Sequence, residues 1–127
     1  MPRPISTRKL YPAQRPGTGA DFDWLYPLYK LCLRPAISRT WGWDEGFQTA
    51  SFRTHLSPKK FTVLVLDSKD IGGFILVEHA DHLWLEMLLI DPEYQNKGIG
   101  AGVIRQLQRQ SATVGKPLKL CVIKANP

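Results

Sequence analysis

Leu83-Trp84-Leu85-Glu86-Met87-Leu88-Leu89-Ile90-Asp91-Pro92-Glu93-Tyr94-Gln95-Asn96-Lys97-Gly98-Ile99-Gly100-Ala101-Gly102 decides how this sequence folds. It falls into three parts. Leu83 to Ile90 is an apolar run with a single charge, Glu86, inside it. Asp91-Pro92 breaks the pattern. Gln95 to Gly102 is polar and glycine-rich and leads into a helical periodicity. A strand, a tight turn and a glycine-rich helix start together present a cluster of main-chain N–H groups. The first N–H groups of a helix have no intrahelical acceptor, and the helix dipole favours anions there, so such a cluster suits phosphate.

The loop is not the dinucleotide fingerprint, which needs G-x-G-x-x-G at the first turn of a βαβ unit, nor a Walker loop, since no Gly-Lys-Ser/Thr closes it. Gln95-Asn96-Lys97-Gly98-Ile99-Gly100 fits Gln/Arg-x-x-Gly-x-Gly/Ala, after an apolar strand ending Ile90-Asp91-Pro92 and before a helix. In this it resembles the acetyl-CoA loop of the GNAT N-acetyltransferase superfamily.

The remaining sequence supplies the context. A length of 127 residues suits a single domain with its own core. No apolar run approaches the roughly 20 residues of a membrane helix, and no secretory signal is visible, so a cytoplasmic protein is expected. Cys32 and Cys121 sit far apart in apolar surroundings and read as free thiols. No Cys/His spacing suggests a metal site. The net charge is +6. The basic residues are scattered, with no arginine-rich run interleaved with aromatics. A polyanionic small molecule therefore fits the charge at least as well as nucleic acid does.

In chain order, Ile5 to Ala13 reads as a first strand, ended by Arg15-Pro16-Gly17. Asp21 or Asp23 caps a helix to about Leu33, with Arg34-Pro35 as its stop. Ile37 to Trp43 reads as irregular, and Asp44 to His55 as a second helix. Phe61 to Leu66 and Ile71 to Glu78 form a hairpin across Asp67-Ser68-Lys69-Asp70, with Gly72-Gly73 marking a bulge or a close backbone approach. Leu83 to Ile90, apolar on both parities, is a central strand covered on both faces. A helix from Gly98 to Val114 ends at Gly115. Leu118 to Ile123 returns parallel to the central strand. The expectation is an α/β (α+β) fold with a mixed sheet in the order β-α-α-β-β-β-α-β.

This order is the one the GNAT resemblance implies. In that family two parallel strands splay apart and the cofactor's arm lies between them; here they would be Leu83–Ile90 and Leu118–Ile123. The resemblance implies acetyl-CoA as co-substrate, held by Gln95, Asn96, Lys97, Gly98, Ile99, Gly100 and Ala101, by the backbone of Leu88, Leu89 and Ile90, and by Asn126. It also implies direct transfer of acetyl to a primary amine of unknown identity, a small molecule or a peptide.

Glu86 is the sharpest side-chain candidate. Alternation puts it on one face with Trp84, Leu88 and Ile90. A carboxylate in an apolar run has its pKa raised by burial and can take a proton from an amine. A structural role bound to arginine or backbone stays open beside that of base or amine binder. Trp43 and Glu45, with Asp44 and Trp41, fall where the family lines its acceptor site, but Asp44 and Glu45 also read as helix-start acids. His55, His79 and His82 show no ligand spacing.

The sequence departs from the family at its end. After Asn126-Pro127 the resemblance calls for a helix with a Leu-Tyr pair, then Gly-Phe and two more strands, and the tyrosine often reprotonates the CoA thiolate. An apparently truncated acetyltransferase, one completed by homo-oligomerisation through the exposed last strand, and a CoA-binding fragment with little or no turnover are the three readings. A small basic nucleic-acid-binding domain is the rival outside the family. No internal tyrosine obviously replaces the family's tyrosine; Tyr94 sits beside the loop, with the direction of its side chain open.

Overall fold

A computed structural model describes residues 12–120, apart from the side chains of residues 40 and 41. Five strands form one sheet in the spatial order β1-β2-β3-β4-β5: β1 Ala13–Pro16, β2 Thr62–Leu66, β3 Lys69–Glu78, β4 Leu83–Ile90 and β5 Leu118–Leu120. The first three pairings are antiparallel, and β4 with β5 is parallel. The helices are α1 Phe22–Trp41, α2 Glu45–His55 and α3 Ile99–Val114. The chain order is therefore the expected β-α-α-β-β-β-α-β.

β4 carries apolar side chains to both faces, and each face has its own cover. Met87 and Leu89 pack with Leu25, Leu28, Tyr29, Phe52 and Ile75 under α1 and α2. Leu85, Leu88 and Ile90 pack with Ile99, Val103 and Leu107 of α3. The α3 row Ile99, Val103, Leu107, Ser111 is buried as its spacing predicts, and Gly115, at φ 72°, ends the helix.

Two elements differ from expectation. α1 does not stop at Arg34-Pro35 but continues to Trp41, absorbing most of the segment expected to be irregular. Pro35 forfeits a bond to the Leu31 carbonyl, but both residues lie on the exposed side, where water can take that carbonyl. On the other side Ala36 is buried and Ile37 packs on the core, so packing carries the helix past the proline. The first strand is Ala13–Pro16 and runs through the residues expected to end it; of the expected Ile5–Ala13, the part before Pro12 lies outside the described residues. Proline is tolerated there because, among the described residues, β1 pairs only with β2.

Arg15 then works as a clamp. Its guanidinium lies 2.7 Å from Asp21 and 3.1 Å from Asp70. Asp21 also accepts from Trp24 Nε1 at 2.7 Å and from the Thr18 N–H at 2.8 Å. It occupies the N-cap position of α1 yet makes no cap bond; its buried carboxylate faces Arg15, which holds it well below the usual carboxylate range.

Two bulges shape the sheet. Ile71 is skipped between the pairs Leu64↔Gly72 and Val65↔Asp70, next to the glycines that suggested a bulge. Gly72 also makes the close approach: a Cβ there would lie 2.1 Å from the Leu89 carbonyl oxygen. In β4, Leu76 pairs with Leu85 and Ile75 with Met87, so Glu86 is the extra residue.

Candidate cofactor site

The β4 bulge resets the side-chain parity. Leu85 and Leu88 are three residues apart yet share the α3 layer. The expectation that Glu86 shares a face with Trp84, Leu88 and Ile90 is thereby overturned: Trp84 alternates with Leu85, away from Leu88 and Ile90. Glu86 is exposed, so the burial expected of it is absent, and among the described residues it has no hydrogen-bond or ion-pair partner.

Beyond the bulge one edge of β4 is open among the described residues. The described pairs with β5 are Leu83↔Leu118, Trp84↔Lys119 and Leu85↔Leu120, and they end one residue before Glu86. The Asp91 N–H donates to the Ile71 carbonyl of β3 at 2.8 Å. Across that trans peptide the Ile90 carbonyl points the other way, away from β3. Strand alternation turns the polar groups of Leu88 to the same open side and those of Leu89 toward β3.

The loop follows. Asp91 Oδ1 accepts from the Glu93 N–H at 2.9 Å and starts a single 3-10 turn, Pro92–Tyr94. The Gln95 N–H donates to the Pro92 carbonyl at 3.2 Å, so it is not a free donor, contrary to expectation. Asn96 at φ 61° and Gly98 at φ 84° are left-handed, which turns successive amides toward one side. The amides of Asn96, Lys97 and Gly98 have no acceptor among the described residues. Those of Ile99, Gly100 and Ala101, in the first turn of α3, have none by helix geometry. The Lys97 side chain is exposed beside them.

Other candidates have partners of their own. Glu45 accepts from Trp43 Nε1 at 2.9 Å and from the Tyr26 hydroxyl at 3.0 Å, with Lys30 Nζ at 3.2 Å. The Trp43 hydrogen bond leads in holding its carboxyl below the ordinary range, helped by Lys30 and Tyr26. Glu45 thus ties α2 to α1. Asp44 caps α2 through the Phe47 N–H at 2.8 Å. Tyr94 packs in the α3 layer with Lys69 Nζ 5.4 Å from its ring, so it does not face the open edge of β4. Asn126, Cys121, the Trp41 side chain and the last strand beyond Leu120 lie outside the described residues.

The acetyltransferase (GNAT) family profile matches residues 23–127. The chain belongs to the GNAT acetyltransferase family. No curated protein matches it. Solved GNAT structures share its fold. A possible acetyltransferase from Clostridium difficile 630 aligns at TM-score 0.65 and 18% identity, over 90% of this chain and 81% of that one. The PaiA N-acetyltransferase of Thermoplasma acidophilum, in complex with coenzyme A, aligns at TM-score 0.60 and 21% identity, over 87% and 78%. N-acetylglutamate synthase from Neisseria gonorrhoeae, complexed with coenzyme A and N-acetyl-glutamate, gives 0.55 and 17%, over 86% of this chain and 24% of that one. Among the described residues of this GNAT chain no helix is long and apolar enough to cross a membrane, and no three His, Cys, Asp or Glu are placed to share a metal.

The β4 bulge is what sequence reading missed. Its only trace is the pair Leu85 and Leu88, apolar at a spacing that simple alternation assigns to opposite faces.

Proposed function

We propose that this GNAT chain binds acetyl-CoA along the open edge of β4 and over the loop that follows, and transfers the acetyl group directly to an amine. The observation that carries the reading is the run of amides from Asn96 to Ala101 without acceptors among the described residues, at the start of a helix and beside a strand edge where the polar groups of Leu88 are also turned outward. A diphosphate would take the amides, with Lys97 adding positive charge. The amide-bearing arm of the cofactor would lie along β4 as an added strand, pairing with main-chain groups and needing no particular side chains.

The thioester would then reach the bulge. There Glu86 has no partner on β3, and its amide would polarise the thioester carbonyl and stabilise the oxyanion as the amine attacks. The amine nitrogen forms the C–N bond and the C–S bond breaks, releasing CoA thiolate. The amine must shed a proton. Glu86, exposed on the bulge, would accept it directly or through water. Trp84 and Met87, next to the bulge, would help shape the acceptor's approach.

Binding with little turnover is the second reading. The three described tyrosines are engaged elsewhere: Tyr26 with Glu45, Tyr29 with Gln48 at 3.1 Å, and Tyr94 in the α3 layer. None faces the open edge to reprotonate a thiolate. Calorimetry with acetyl-CoA and a thiol-release assay over a panel of amines test the proposal together. Binding with release supports transfer, binding alone supports the second reading, and no binding rejects both.

A further inference from the structure

Gln95 opens the loop, and the protein engages both its main-chain and its side-chain donors. Its N–H bonds the Pro92 carbonyl, and its Nε2 donates to the Ile90 carbonyl at 2.8 Å. That carbonyl is the last polar group on the open side of β4. Cys32 Sγ of α1 reaches the same oxygen at 3.7 Å and lies 4.0 Å from Gln95 Nε2. Burial pushes the Cys32 thiol up, so it stays protonated and able to donate. Three elements, β4, the loop and α1, thus meet at one acceptor.

The segment beyond needs such an anchor. Asn96 sits at φ 61°, a left-handed backbone that a non-glycine residue keeps best where surrounding contacts hold it, and Gly98, without a Cβ, adds no restraint of its own. Among the described residues no other side chain joins the loop from 95 to 98 to the strand end.

We propose that Gln95 is a positioning residue of the cofactor site: its amide closes the open edge of β4 at Ile90 and suspends the phosphate-facing amides from that point. The side chain is then a fixture of the protein and not a phosphate ligand. The Ile90 carbonyl is withheld from the cofactor, and the main-chain groups of Leu88 are left to pair with the cofactor's arm. For the identity of its ligand this inference rests on the acetyl-CoA reading; for the loop it rests on the contacts alone.

The test compares the full chain with Gln95→Met, which keeps length and removes the donor, and with Gln95→Ala. Backbone ¹⁵N order parameters are measured without ligand, and acetyl-CoA affinity by calorimetry. The expected result is a fall at Asn96 to Gly98 from the rigid range to below about 0.6 in both variants. Acetyl-CoA affinity should drop about tenfold, with the melting temperature within about 2 °C of the parent, because the residue is exposed and outside the core. Weaker binding with an unchanged loop would make Gln95 a phosphate ligand and overturn the proposal, as would an unchanged loop with unchanged affinity. If the parent chain binds no acetyl-CoA, the functional reading fails, while the ligand-free order parameters still decide whether Gln95 holds the loop.

Discussion

Gly72→Ala puts the contact between β3 and β4 under direct load. The added Cβ would lie 2.1 Å from the Leu89 oxygen, 3.0 Å from its carbonyl carbon and 3.1 Å from the Ile90 Cα. Ordinary contact begins near 3.4 Å, so the methyl group is more than 1 Å too close. All three neighbours are backbone, so no rotamer can relieve the clash and β4 itself must move. Overpacking of this kind costs about 1–3 kcal/mol, and the upper end applies because ladder bonds on both sides are disturbed. For a chain of this size, about 3 kcal/mol lowers the melting temperature by roughly 10 °C. The site would feel the same shift, since Leu88 presents the edge proposed for the cofactor and Ile90 anchors the loop beside it. Urea unfolding followed by tryptophan fluorescence measures the cost, with Gly46→Ala in α2 as control. There the nearest atom, Asp44 Oδ1, is 3.6 Å away, and the change should be neutral or stabilise by up to about 0.5 kcal/mol. If Gly72→Ala unfolds at the parent's urea midpoint, the close approach of Gly72 to β4 is refuted.

Further predictions concern the clamp, the bulge and the loop. Asp21→Asn should cost about 3 kcal/mol in urea unfolding, because it leaves Arg15 without its nearest carboxylate and weakens the acceptor for Trp24. Asp21 has a folded-state pKa below its unfolded one, so its contribution is present above about pH 4–5 and is lost as pH falls. The parent should therefore lose stability between about pH 5 and pH 2, and Asp21→Asn should show a shallower acid slope. Glu86→Gln should lower thiol release with a responsive amine by about 100-fold and change its pH profile, while acetyl-CoA affinity holds; an unaltered rate and profile would remove Glu86 from the role of base. Gly98→Ala meets no atom within 4 Å, so its cost is the left-handed backbone alone, about 1–2 kcal/mol in unfolding, accompanied by weaker acetyl-CoA binding as the turn relaxes.

How much of this was legible depended on whether the signal was local. The apolar run from Leu83 to Ile90, the Asp91-Pro92 break and the glycines after it carry their own backbone requirements, and the strand, loop and helix lie where those residues place them. Pro35 failed as a stop because the decision lay in tertiary packing: Ala36 and Ile37 find the core on one side while water serves the other. The bulge at Glu86 was invisible for a related reason. It depends on how β3 pairs with β4, and a run of leucines satisfies either parity. The same slip explains why Glu86 is exposed where alternation made it a buried carboxylate. Glu45 read as an acceptor-site candidate or a helix-start acid, and only the approach of α1 supplies Lys30 and Tyr26 to occupy it.

The central claim is that the amides after Gln95 and the open edge of β4 receive the cofactor. A ¹H–¹⁵N titration of the full chain with acetyl-CoA tests it most directly. The account predicts the largest shifts at Asn96 to Ala101, with a second set at Leu88 and near the Glu86 bulge, and little change across β1 and β2. Shifts confined to other surfaces, or none at saturating acetyl-CoA, would contradict it.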